Sequence, residues 1–316
     1  MTTETLGLHH VTAIARDAQA NVDFYSQLLG LRLVKLTVNF DDPGSYHLYY
    51  GDAEGTPGTN LTFFPHPDGY QGVPGAGQAT AIGLAIPHGA LDYWIDRLAA
   101  ENVPFEAPAY RFGEQFITVA DPDGLHLELF ETDQADGGKP WTGAGVPIDF
   151  AIRGMHSVTL AQRDLSTTAP IVQDLGYEVE DTDDDRVRYC VGEGGIGSRL
   201  EILHGVQERG RVAVGSIHHV AFRLADDESQ QYWLNKVLDE GYHSTPVVNR
   251  DYFKSVYFRE PGHVLFELAT DGPGFAIDEP LEALGTSLQL PEMYEAQREL
   301  IVKRLPPLRL PGVVAR

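Results

Sequence analysis

Two pairs of adjacent histidines and one glutamate are the residues whose types and positions could do chemistry. One pair lies in LHHVTAI at 8–14, the other in the similar segment IHHVAFR at 217–223, and the glutamate lies in LFELAT at 265–270. Two imidazoles and a carboxylate form the ligand set of non-haem Fe(II) oxygenases, which leaves coordination positions open for substrate and dioxygen. The same ligand types suit Mn(II) and Zn(II), so the residues predict a metal site without fixing the metal.

Strand geometry leaves open which histidine of each pair is the ligand. Neighbouring residues of a β-strand point to opposite faces, so we expect at most one of His9 and His10, and one of His218 and His219, to contact the metal. A single histidine in a strand is more often a hydrogen-bonded core residue than a ligand. Two pairs at equivalent positions of a repeat, with a matched Glu267, favour metal binding.

The histidine pairs belong to an internal repeat that organises the chain. Four similar segments predict the first strand of four units: LHHVTAI at 8–14, IGLAIPH at 82–88, MHSVTLA at 155–161 and IHHVAFR at 217–223. An amphipathic segment follows each one, with apolar residues at helical spacing and Gly or Asn just past its end, which predicts a helix. Further strand-like segments complete each unit.

These units predict an α+β protein of four βαβββ modules, at 6–66, 78–132, 152–205 and 215–271. Linkers rich in Gly, Pro and Asp lie at 65–77 and 132–148, and the second predicts a boundary between an N-terminal domain, 1–145, and a C-terminal domain, 146–316. The tail at 272–316 is expected to add one helix at about 291–304. One module cannot cover both faces of its sheet, so paired modules would form curved mixed sheets around a metal cleft.

The modules differ at the two positions that could bind a metal. Alignment of the first strands places together His10, Leu84, Ser157 and His219, and alignment of the last strands places together Thr62, Glu128, Glu201 and Glu267. Only the first and fourth modules have histidine in the first position. We therefore expect Glu128 and Glu201 to belong to a degenerate, metal-free pair.

Composition excludes several classes of function. The 316 residues include 23 Lys and Arg against 46 Asp and Glu, a net charge of −23, so nucleic acid or an anionic membrane would repel the chain. No apolar segment approaches the roughly 20 residues of a membrane span, and the N-terminus lacks a secretory pattern. Cys190 is the only cysteine, which excludes a disulfide framework. These features predict a cytoplasmic protein without nucleic-acid or membrane partners and leave a homo-oligomer open.

The repeat, the paired histidines and the closing glutamate together resemble the vicinal oxygen chelate superfamily. Within it, nearly the whole chain is similar to ring-cleaving dioxygenases that open hydroquinones. The similar segments are LHHVT at 8–12, YHLYYGDAEGTPGT at 46–59, RFGEQF at 111–116, GSIHHVAF at 215–222, NRDYFKSVYFREPGHVLFE at 249–267 and GFAIDE at 274–279. The resemblance implies that the first and fourth modules pair around the metal, while the second and third pair elsewhere. It also implies that the Fe(II) ligands are His10, His219 and Glu267.

The resemblance further implies which residues act on the substrate. The residues expected in catalysis are His9 and His218, whose imidazoles lie beside the metal, Tyr257 with its hydroxyl, and Arg250 with its guanidinium. Histidine near its ordinary pKa suits proton transfer, and a guanidinium can stabilise a developing oxyanion. The substrate pocket is expected to include Thr12, Arg250 and Tyr257. Several aromatic residues could line it without being assigned individually: Phe40, Tyr46, Tyr49, Phe63, Phe253 and Phe258.

Three functions are compatible with these residues. The leading hypothesis is an Fe(II)-dependent dioxygenase that opens a hydroquinone or catechol-type ring with O₂. The alternative is a metal-dependent isomerase, lyase or thiol transferase of the glyoxalase type, which would need a fourth Glu or Gln ligand where this chain has Thr62. The third hypothesis is a non-enzymatic module that only sequesters a small molecule. The predicted metal-ligand set counts against it.

Overall fold

A computed structural model describes residues 5–135 and 137–311 of the chain as two eight-stranded sheets with helices on their outer sides. The strands are β1 (Leu8–Ala15), β2 (Arg32–Val38), β3 (Tyr46–Gly51), β4 (Asn60–Pro65), β5 (Gln78–Pro87), β6 (Ala109–Arg111), β7 (Glu114–Ala120), β8 (His126–Thr132), β9 (Gly154–Ala161), β10 (Glu178–Thr182), β11 (Arg186–Cys190), β12 (Arg199–Leu203), β13 (Ser216–Leu224), β14 (Val248–Asn249), β15 (Lys254–Arg259) and β16 (Leu265–Thr270). The helices are α1 (Ala18–Val22), which continues as a π-helix at Asp23–Leu28, α2 (Leu91–Ala100), α3 (Leu165–Asp174), α4 (Asp227–Asp239), α5 (Glu292–Glu295) and α6 (Arg298–Arg304). This order repeats strand, helix and three strands four times, which confirms the predicted α+β class. None of the helices in the described ranges is long and apolar enough to cross a membrane.

Each sheet joins two modules that lie on opposite sides of the central linker. The first has the order β14-β15-β16-β13-β1-β4-β3-β2 and combines the first and fourth modules. The second has the order β10-β11-β12-β9-β5-β8-β7-β6 and combines the second and third. The predicted pairing of modules is thus confirmed. Each sheet thus takes one module from either side of residue 145. The domain boundary near that residue stays a prediction.

A β-bulge interrupts the first strand of every module. The extra, unpaired residues are His9 in β1, Thr80 in β5, His156 in β9 and His218 in β13. Bulges re-aim side chains, and they are over-represented near active sites. The simple alternation expected from the sequence therefore fails here, and the two imidazoles of each histidine pair contact each other instead of pointing to opposite faces.

The strand register corrects one position of the repeat alignment. In the fourth module the closing glutamate pairs with the residue two positions beyond the second histidine. Glu128 pairs with Gly83, so the equivalent of the histidine position in the second module is Ala81, not Leu84. The segment IGLAIP is apolar on both faces, so its pattern does not fix the register of the strand.

Arginine side chains fill the cleft of the second sheet. Arg111 donates to both oxygens of Glu128 at 2.7 and 2.8 Å and reaches Glu201 at 3.2 Å. Arg186 and Arg188 also donate to Glu201, at 2.8 and 3.0 Å. The two closing glutamates of this sheet are therefore neutralised by guanidinium groups of the chain itself.

The tail covers one side of the first cleft and is anchored by a buried ion pair. The Lys35 ammonium, which is fully buried in β2, lies 2.5 Å from carboxylate oxygens of both Asp278 and Glu279. The Tyr252 hydroxyl donates to Asp278 at 2.9 Å. Beyond this anchor, the single helix expected at 291–304 is divided into α5 and α6, because Gln297 leaves the helical conformation (φ −110°, ψ 8°).

Substitution of Glu201 tests the arginine-filled cleft. Glu201→Ala leaves three guanidinium groups without a shared buried carboxylate, so we expect the free energy of unfolding to fall by about 3 kcal/mol. Denaturant melts of both proteins measure this change. The matched control is Glu295→Ala, which breaks an exposed pair with Arg298 and should change stability little. Equal stability of Glu201→Ala and the wild type would contradict the account.

Candidate metal centre and substrate cavity

Three side chains from three strands converge in the first cleft. The Nε2 atoms of His10 and His219 lie 3.3 Å apart, and they lie 3.2 and 2.8 Å from Oε2 of Glu267. All three side chains are buried. In the described residues, this is the one group of three or more potential metal-ligating side chains whose donor atoms lie within 4.8 Å of one another. The structure thus brings together the ligand set that the resemblance implies.

The carboxylate of Glu267 shows that this group fits a cation. Its Oε1 accepts a hydrogen bond from Ser255 Oγ at 2.5 Å. Its Oε2 is fully buried and lies 3.2 and 2.8 Å from the Nε2 atoms of His10 and His219, which donate no hydrogen bond to it when their hydrogens are on Nδ1. An ionised oxygen without a partner is costly in a protein interior. A divalent metal held by His10, His219 and Glu267 would neutralise it.

The first histidine of each pair holds the second one in place. His9 Nδ1 lies 2.9 Å from His10 Nδ1, and His218 Nδ1 lies 2.8 Å from His219 Nδ1. Two Nδ1 atoms can share only one hydrogen. A ligand histidine that offers Nε2 to a metal must carry its hydrogen on Nδ1, so His9 and His218 accept it. Such outer hydrogen bonds fix the tautomer and the ring orientation of metal-ligating histidines.

The protonation states also suit a metal. Burial lowers the pKa of His219, and burial lowers the pKa of both His9 and His218 to about 3. Burial raises the pKa of the Glu267 carboxyl, but the attraction and hydrogen bonds of the His10 and His219 imidazoles in their protonated form outweigh this effect and hold that pKa well below its usual range, so the carboxylate is ionised before a metal would replace those protons. Neutral imidazole and ionised carboxylate are the forms that bind metal ions.

A cavity of about 320 Å³ opens onto His10 and His219. This volume lies at the small end of ligand pockets, which span about 300–1,000 Å³. Aromatic rings and a few polar groups form its walls, among them Phe40, His47, Tyr49, Phe64, His218, Arg250, Phe253 and Tyr257. Aromatic walls around a small volume suit a single aromatic ring, and the polar groups can orient its oxygens.

Three of the residues expected to act on the substrate line this cavity: His218, Arg250 and Tyr257. Arg250 Nε donates to the Tyr257 hydroxyl oxygen at 3.3 Å. The Arg250 guanidinium also lies 5.6 Å from the centre of the Phe40 ring, which joins the fourth module to the first across the cavity.

The other two expected residues lie behind the cavity wall. His9 is buried and packs against the Phe253 ring, with ring centres 5.0 Å apart. Thr12 is fully buried, and its hydroxyl lies 2.7 Å from that of Thr62. Roles for these residues in the reaction stay predictions. The structure gives each of them an indirect route to the cavity, His9 through His10 and Thr12 through Thr62.

The sequence analysis overlooked His47 and left Tyr49 unassigned, and both residues line the cavity. The Tyr49 hydroxyl lies 2.8 Å from His47 Nδ1, and His47 Nε2 lies 2.9 Å from the Thr62 hydroxyl. The signal was present in the segment YHLYY, because residues two apart on a strand share a face. Of the other unassigned aromatic residues, Phe40 and Phe253 also line the cavity, whereas Tyr46, Phe63 and Phe258 belong to the hydrophobic core.

Comparisons with known proteins give consistent similarities. The profile of the glyoxalase/bleomycin resistance protein/dioxygenase superfamily matches residues 7–129. The chain is 44% identical to MhqO of Bacillus subtilis (strain 168), whose name assigns it provisionally to the ring-cleaving dioxygenases, over 98% of this chain and 99% of that protein. It is 34% identical to the chlorohydroquinone/hydroquinone 1,2-dioxygenase of Sphingobium indicum, over 95% of each chain.

Solved structures show the same relation. A crystal structure from Bacillus subtilis subsp. subtilis str. 168, described provisionally as a dioxygenase, covers 99% of this chain and 100% of its own, with 43% identity and a TM-score of 0.94. Glyoxalase I from Zea mays covers 84% of this chain and 92% of its own, with 15% identity and a TM-score of 0.60. The second similarity concerns the fold alone.

Metal titration tests the ligand set. We expect the wild-type chain to bind one divalent metal, and Glu267→Gln to lose at least about tenfold in affinity, because the amide removes the only negative ligand. Calorimetric titration with Zn(II) and metal analysis after dialysis measure this. Glu128→Gln, the same change at the equivalent strand position of the second sheet, should retain the metal. Equal affinities of Glu267→Gln and the wild type would contradict the site.

Proposed function

This chain belongs to the glyoxalase/bleomycin resistance protein/dioxygenase superfamily, and on that premise we propose that it is an Fe(II)-dependent dioxygenase that opens hydroquinone-type aromatic rings with O₂. The observation that carries the proposal is the convergence of His10, His219 and Glu267 at one end of an aromatic-walled cavity. The name of the Sphingobium indicum relative supports the ring class.

The metal centre would take three ligands from the protein. Fe(II) held by His10, His219 and Glu267 would supply open coordination positions and the one-electron chemistry that aromatic diols need to react with O₂. The chain supplies the surroundings of that centre. The aromatic walls offer apolar contact to a ring, and the cavity volume suits one small ring.

Arg250 and Tyr257 would stabilise negative charge on a ring oxygen. The Tyr257 oxygen accepts from Arg250, so its own hydrogen can be donated to a ligand in the cavity. Burial raises the pKa of Tyr257, which keeps the hydroxyl protonated and able to donate. A phenol hydrogen bond backed by a guanidinium is suited to a substrate oxygen that loses its proton.

His218 and His9 would have different roles. With a metal on His219 Nε2, His218 Nδ1 would accept the hydrogen of His219 Nδ1 and His218 would carry its own hydrogen on Nε2, from which it could donate to an oxygen bound in the cavity. His9 makes the same contact with His10 but does not line the cavity, so it would position the ligand. Of the two histidines expected beside the metal, in either a positioning or an acid/base role, we thus propose that His218 faces the substrate and that His9 orients the metal ligand.

Thr62 favours oxygen chemistry over the glyoxalase-type alternative. Its position is equivalent to that of Glu267, where a fourth ligand would stand. Its hydroxyl is already bonded by Thr12 and by His47, at 2.7 and 2.9 Å. With three protein ligands, a bound metal would have positions open for both an aromatic diol and O₂.

Oxygen uptake tests the proposal directly. Protein loaded anaerobically with Fe(II) is given methylhydroquinone, a chlorohydroquinone and catechol in parallel. We expect iron-dependent uptake and a ring-opened product with at least one of the hydroquinones, and Glu267→Ala should abolish both. Mass spectrometry with ¹⁸O-labelled dioxygen separates ring opening from simple oxidation to a quinone. Metal-loaded protein that opens none of the three rings would refute the proposal.

A further inference from the structure

The first and fourth modules place equivalent tyrosines on the two sides of the cavity. Tyr257 pairs with Glu267 across β15 and β16, and Tyr49 pairs with Thr62 across β3 and β4. Each of these strands also carries a polar residue two positions earlier on the same face, Ser255 in β15 and His47 in β3. The two tyrosines therefore occupy matching positions, with different partners.

The Tyr49 hydroxyl is the end of a buried chain of hydrogen bonds. It lies 2.8 Å from His47 Nδ1, His47 Nε2 lies 2.9 Å from the Thr62 hydroxyl, and that hydroxyl lies 2.7 Å from the hydroxyl of Thr12. Only His47 and Tyr49 of these four residues reach the cavity. The chain thus offers the Tyr49 hydroxyl to a ligand beside the His47 ring, and it keeps the two threonine hydroxyls inside the protein.

The two tyrosines differ in the hydrogen bonds they can offer. Arg250 has only donors, so it fixes Tyr257 as a donor toward the cavity. Burial lowers the pKa of His47 well below its usual value, so its ring is neutral, with one donor and one acceptor nitrogen. Every member of the Tyr49 chain can therefore donate or accept, and its direction can reverse without a net change in charge. Tyr49 can accept from an un-ionised hydroxyl or donate to a carbonyl.

We propose that the Tyr49 hydroxyl, positioned by His47, binds the ring oxygen of an aromatic diol that is not held at the metal centre. This inference rests on the proposed function. A hydroquinone carries its second oxygen across the ring from the first, so this oxygen needs a partner away from the ligand atoms. In the described part of the chain, neither Tyr49 nor His47 is hydrogen bonded to His10, His219 or Glu267.

Equilibrium binding under argon tests this without turnover. Zn(II)-loaded protein is titrated with hydroquinone and with 4-methylphenol, in which a methyl group replaces the second hydroxyl. Tyr49→Phe should weaken hydroquinone about 5- to 10-fold, the value of one lost hydrogen bond, and should leave 4-methylphenol unchanged. Tyr50→Phe is the matched control, because this neighbouring tyrosine is equally buried but donates its hydroxyl hydrogen to Asn21 of helix α1. Zn(II) content is measured in each variant.

A second variant separates positioning from general damage. His47→Leu should show the same selective loss for hydroquinone, and the combination of His47→Leu with Tyr49→Phe should cost no more than either change alone, because both remove one interaction. Equal losses for both ligands, or additive losses in the double variant, would overturn the proposal. Wild-type protein that binds no hydroquinone would overturn the proposed function along with it. Binding without the selective loss would overturn this inference alone.

Discussion

The buried negative charge of Glu267 is the constraint on which the first cleft depends. The side chain is fully buried, and one of its oxygens is satisfied by Ser255 while the other faces two imidazole nitrogens. A buried carboxylate needs a positive charge nearby, and the neighbouring groups are imidazoles whose nitrogen lone pairs can bind a metal ion. The histidines come from β1 and β13, the central strand pair that joins modules from opposite ends of the chain. The same pairing that completes the sheet therefore assembles the ligand set.

The second sheet shows the same constraint met in another way. Its closing glutamates, Glu128 and Glu201, occupy the equivalent strand positions, but the histidine positions hold Ala81 and Ser157. Guanidinium groups occupy this cleft and pair with both carboxylates. Carboxylates at this position of the fold are thus paired with arginine in the second sheet, whereas in the first sheet Glu267 faces His10 and His219 and a metal would supply the positive charge.

Much of this organisation is readable from the sequence, because repeats and periodicity are local. The strand–helix–three-strand order, the module limits and the equivalence of Thr62 with Glu267 follow from spacing, and the resemblance selected His10 and His219 within their pairs. Features that depend on long-range geometry were missed or wrong. The bulges that bring His9 against His10, the register that selects Ala81 over Leu84, and the packing of Arg111 onto Glu128 all require strands remote in sequence. His47 was missed because its partner, Thr62, was considered only as a missing ligand.

We infer that one metal ion binds between the first and fourth modules and that the equivalent cleft of the second sheet binds none. Anomalous diffraction at the iron edge, from crystals of protein loaded anaerobically with Fe(II), tests this most directly. The account predicts one strong peak within bonding distance of His10 Nε2, His219 Nε2 and Glu267 Oε2, with no peak between Glu128 and Glu201. A peak in the arginine-filled cleft would contradict this assignment, and so would the lack of any peak beside His10, His219 and Glu267.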